Sequence, residues 1–120
     1  MNDINIFFSE DNELVELDVI ESECRGDVVV KIGNCYYHPL VITPSRLNVN
    51  FNIMVKKYGF YECNPCLVLV KNLKKETIIE TILKLYNNDY FSQIKPINFE
   101  RFCSIYEILS KDINEWIKVY

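Results

Sequence analysis

Glycine, proline and histidine are scarce in this chain: three, four and one among 120 residues. With so little glycine there is no phosphate-cradling loop and no G-x-S-x-G nucleophile elbow. His38 is the single imidazole, which excludes the paired histidines of an H-E-x-x-H zinc site. No Gly/Ser/Pro-rich tract marks a linker and no internal repeat occurs, so residues 1–120 are expected to form one globular domain. No run approaches the ~18 apolar residues that suggest a membrane-spanning helix. Met1-Asn2-Asp3-Ile4-Asn5 lacks the basic and apolar regions of a secretory leader, so a cytoplasmic location is expected.

What is present is apolar enough to fold. Hydrophobic residues make up 49% and charged residues 25%, the balance of a globular protein with one core. Aromatic residues reach 13%, mostly Tyr and Phe, and most are expected inside. Five cysteines, an odd number, read as reduced thiols.

The net charge of −4 conceals an asymmetry. Residues 1–27 hold nine carboxylates against Arg25 alone, or −8, whereas residues 28–120 hold eight acids and twelve bases, or +4. A segment this acidic repels phosphates, which argues against nucleic acid as its ligand. It attracts a basic protein surface and accelerates encounter with it.

Alternation of Ile4, Ile6 and Phe8 predicts a strand over Asp3–Phe8, followed by a polar turn at 9–12. Residues 13–21 also read as period two, with Val15, Leu17 and Val19 on one face and Glu16 and Asp18 on the other. Val28–Ile32, Gly33-Asn34 and Cys35–His38 read as a hairpin, with Pro39 placing its second strand at an edge or ending it. Thr43-Pro44 and Gly59 frame a helix over 45–58, although alternation there also suits a strand. The apolar run Cys66–Val70 reads as a central strand buried on both faces. Lys75–Tyr86 is the clearest helix, a second is expected over Asn98–Ser110, and a short element surrounds Trp116. The expected fold is α+β, a mostly antiparallel sheet of about five strands with about three helices packed on it.

Cys63-Asn64-Pro65-Cys66 resembles a redox dithiol, but the residues after Cys66 are strand formers, where that chemistry needs a helix start. With Cys24, Cys35 or His38 the pair could also open a zinc site, yet only one close-spaced ligand pair exists. No metal, cofactor or catalytic residue is therefore expected. Carboxylates abound over 10–23, but short loops leave little material for a glycosidase-like cleft. The reading is a binding protein, not an enzyme. Its candidate partner-binding residues are Glu10, Asp11, Glu13, Glu16, Asp18, Glu21 and Glu23, with Tyr36 and Tyr37 as aromatic anchors. If their strand alternates, one of those tyrosines faces the core.

Lys56-Lys57-Tyr58-Gly59-Phe60, then Pro65-Cys66-Leu67-Val68-Leu69-Val70 and the amphipathic segment to Tyr86, resemble the small immunity proteins of bacterial polymorphic-toxin and contact-dependent growth inhibition systems. That resemblance implies tight cytoplasmic binding of a cognate toxin domain, often a nuclease. It transfers no binding residue position by position. When free, the chain is expected to be a monomer and not a dimer. A phage-encoded inhibitor or general adaptor using the same acidic face is an alternative, and a small thiol or zinc protein is another.

Overall fold

The computed structural model describes residues 3–63, 65–97 and 115–120. Among them the chain is α+β, with three helices and seven strands. The strands form two sheets, where one was expected.

The first sheet is antiparallel, in the order β4-β3-β1-β7. Strand β1 (Ile4–Phe8) runs against β3 (Val28–Ile32) on one side and β7 (Ile117–Lys118) on the other. Strand β3 continues through Gly33-Asn34 into β4 (Cys35–Tyr37), with Ile32 opposite Cys35. Gly33 takes φ +59° while Asn34 stays at negative φ, the sign pattern of a type II′ turn. Alternation sends Ile4, Ile6, Phe8, Val28, Val30 and Tyr37 into the main core. The opposite face packs Val29 with Trp116, Phe7, Tyr36 and Ile97.

The second sheet is mixed, in the order β2-β5-β6. Strand β2 (Cys24–Arg25) lies antiparallel to β5 (Leu40–Ile42), which pairs in parallel with β6 (Leu67–Leu69). Between these parallel strands runs α2 (Pro44–Tyr58), giving the crossover that parallel pairing requires. The expected helix therefore forms, with the Thr43 side chain accepting from the Arg46 N–H and Gly59 closing the helix at φ +84°. The 66–70 run is not a central strand: β6 is the last strand of this sheet's described order, and Leu69 is exposed.

Helix α3 (Lys75–Asn87) packs Ile78 and Ile82 into the main core, and a 3₁₀ turn (Tyr90–Gln93) adds Phe91 beneath Tyr37. The helix expected over 98–110 lies outside the described residues.

The largest departure is at residues 13–21, which form not a strand but α1 (Glu13–Ser22). Asn12 caps it, its side-chain oxygen accepting from the Val15 N–H at 3.0 Å. Glu13 and Glu16 place acid in the first turn, where the helix dipole favours it. Glu23 ends the helix in the left-handed region at φ +58°, donating its N–H to the Val19 carbonyl. The period-two pattern misleads because only Val15 and Val19, four residues apart, face the core. Leu17, the third member of that alternation, points to solvent.

Candidate protein-binding surface

Helix α1 is held from beneath by Arg25, whose guanidinium is fully buried. Its Nη1 donates to Glu16 Oε2 at 2.8 Å, its Nε to Asp27 Oδ1 at 2.8 Å and its Nη2 to the Glu10 carbonyl at 2.8 Å. The Phe8 ring closes one face of the guanidinium, 3.8 Å from the ring centroid to Cζ. Asp27 in turn accepts from the Ser9 hydroxyl and backbone N–H. One buried cation thereby ties the end of β1, the first half of α1 and the β2–β3 connection together. Asp11 pairs with Lys75 at the start of α3, fixing the lead-in to α1.

This anchoring sorts the predicted binding residues. Glu16 and Asp18 do not share an outer face, because two helical positions are about 200° apart. Glu16 turns inward to Arg25, and Asp18 is exposed. Glu13, Asp18 and Glu21 come together on the outside of α1, and Glu10 is exposed just before it. Asp11 is engaged by Lys75, and Glu23 accepts from the Thr43 hydroxyl at 3.2 Å. Tyr37 is buried against Phe91, ring centroids 5.1 Å apart, and offers no surface. Tyr36 lies half-buried on the other face of the same sheet, beside Val29 and Trp116.

Period-two reading hid three apolar residues. Leu14 is 75% exposed and Leu17 57%, and Ile20 is exposed as well. Leu14, Leu17 and Glu21 stand three and four residues apart and so share one side of the helix. Glu13 and Asp18 flank them, each one turn from a leucine. The outer surface of α1 is thus an apolar centre in a carboxylate frame, on a helix whose inner side is locked. That arrangement suits a protein interface, in which apolar anchors give affinity and surrounding charges steer approach. The available signal was the Asn12 cap with acids in the next turn; at helical period the leucines then fall on the acidic side.

The thiols stand apart from this surface. Cys63 is exposed, and Cys66 is buried and leads directly into β6, with no helix start beside it. Burial pushes the Cys66 thiol up, against a hydrogen bond with the Tyr90 hydroxyl. Tyr90 is itself pushed up to about 12, by burial first and then by the Cys66 charge. Both directions favour the protonated forms, the reverse of an activated thiolate. Among the described residues no three His, Cys, Asp or Glu side chains group as a metal site, and no helix is long and apolar enough to cross a membrane. No protein-family profile, no curated protein and no solved structure matches this chain.

Proposed function

We propose that this protein is a cytoplasmic immunity protein that neutralises a toxin domain, a nuclease by preference, through the outer face of α1. The observation that carries this reading is the exposure of Leu14 and Leu17 between Glu13, Asp18 and Glu21 on an anchored helix. Carboxylates held on a rigid element can oppose the Lys and Arg side chains with which a nuclease binds phosphate. The leucines supply the apolar contact that charge alone lacks, in the manner of a helix laid into a groove. The action is occlusion of a cationic cleft, and it requires no chemistry from this chain.

The test is whether a neighbouring reading frame encodes a toxin domain that this protein neutralises, with binding kinetics measured on the purified pair. Reversing Glu13, Asp18 and Glu21 to Lys should slow association at least about tenfold at low salt, and added salt should no longer slow it further. Leu14→Ala with Leu17→Ala should instead raise the dissociation rate about tenfold or more. Unchanged kinetics and full growth protection in both variants would remove α1 as the inhibitory surface.

A further inference from the structure

Helices α1 and α2 are chemical opposites. The first carries four acids and no base, and the second carries Arg46, Lys56 and Lys57 and no acid. Both are also unusually apolar on the outside. Of eleven exposed large hydrophobic residues among those described, seven lie on these two helices. On α2 they are Val49, Phe51, Ile53 and Tyr58, and no residue of that helix is buried. Among the described residues nothing covers these side chains.

Within one molecule the two helices do not satisfy each other. They meet end to end, where the Thr43 N–H donates to the Glu23 carbonyl and Arg46 Nη1 lies 3.5 Å from the Ser22 carbonyl. Among the described residues no ion pair joins them. Lys56 is ten residues beyond Arg46, about 15 Å further along the helix, more than a Debye length of ~10 Å at 0.1 M salt.

The geometry points to a second copy of this chain as the partner of both surfaces. The outer face of α1 in one copy lies on the Lys56/Lys57 half of α2 in the other, and the reciprocal contact forms by twofold symmetry. Because each copy brings one acidic and one basic helix, the pairing is self-complementary, and under twofold symmetry it closes at two. Apolar side chains from both helices are covered, and each charge group gains its opposite. This departs from the monomer expected from sequence. It occupies the α1 surface assigned above to the toxin, so the two uses exclude one another, but it stands without that assignment and is tested on the protein alone.

Sedimentation equilibrium of the purified full chain is the experiment. The wild type should approach twice the 14.2 kDa chain mass at about 0.01 M salt and shift toward the monomer at about 1 M, where the Debye length falls from ~30 to ~3 Å. One variant carries Glu13→Lys, Asp18→Lys and Glu21→Lys, and another Lys56→Glu and Lys57→Glu; all five positions are exposed, and far-UV circular dichroism checks the helices. Each variant alone presents like charges at both contacts and should be monomeric. Mixed one to one they restore both opposite-charge contacts and should form a heterodimer. A wild type that is monomeric at every concentration and salt overturns the proposal. So does a dimer indifferent to both reversals, a mixture that fails to associate, or open-ended assemblies in place of a closed pair.

Discussion

At the scale of single residues, the acidic segment is organised by its one base. Composition sets nine carboxylates against Arg25 and suggests a bare negative patch. The structure instead spends Glu16 and Asp27 on a guanidinium removed from water. A planar five-donor group suits this place where lysine would not, since Nε, Nη1 and Nη2 each reach a different oxygen while the flat face rests on Phe8. Nothing in the sequence says that Arg25 is inside, because burial of a charge depends on partners brought from 9 to 15 positions earlier. Truncating it exposes the cost. Arg25→Met should lower unfolding free energy by about 3–5 kcal/mol, because two carboxylates then lose their counter-charge in a desolvated site. Adding Glu16→Gln and Asp27→Asn should recover part of that loss in urea titrations. A single variant as stable as the wild type would show that the hub is not what holds α1.

At the scale of elements, legibility followed the caps more than the apolar pattern. For α2 both ends were readable, from Thr43-Pro44 and from Gly59, even though the helix buries none of its own side chains. Among the described residues none of its apolar side chains joins a core cluster. For α1 the cap was present in Asn12, yet Val15, Leu17 and Val19 imitated a strand because leucine sits on the solvent side. Solvent-facing leucines break the link between hydrophobicity and burial on which periodicity depends. The junction of the two helices gives a direct test. The buried Thr43 hydroxyl accepts from the Arg46 N–H and donates to Glu23 at the end of α1. Thr43→Ala should cost about 1–2 kcal/mol, more than Asn12→Ala at the exposed cap of α1, which should cost about 1 kcal/mol or less. Denaturant midpoints of the two variants measure the order, and the reverse order would mean that the junction contributes nothing beyond an ordinary cap.

At the scale of the whole molecule, the class was legible and the partition into two sheets was not. Strand β2 is two residues long and lies inside a segment that composition marks as a charged connection. The chain passes from the second sheet to the first at Gly26-Asp27, and back again at His38-Pro39. These crossings touch: His38 Nε2 donates to the Gly26 carbonyl, with Asp27 nearby. The lone histidine thus joins the two sheets where the backbone changes between them. Burial lowers its pKa below the ordinary 6.5, against the opposing pull of the Gly26 bond and the Asp27 charge. The folded state therefore prefers the neutral ring, and the unfolded chain binds the proton first as pH falls. Its contribution is complete above about pH 6.5 and is lost progressively as pH drops through the lower folded value. His38→Gln keeps a donor for the Gly26 carbonyl but cannot titrate. Urea midpoints for the wild type and this variant, taken from pH 7.5 downward, should converge on the acid side as the wild type alone loses the histidine's share. Curves that stay parallel below pH 6.5 would mean that His38 titrates alike in the folded and unfolded chains, and that the joint between the sheets is insensitive to its charge.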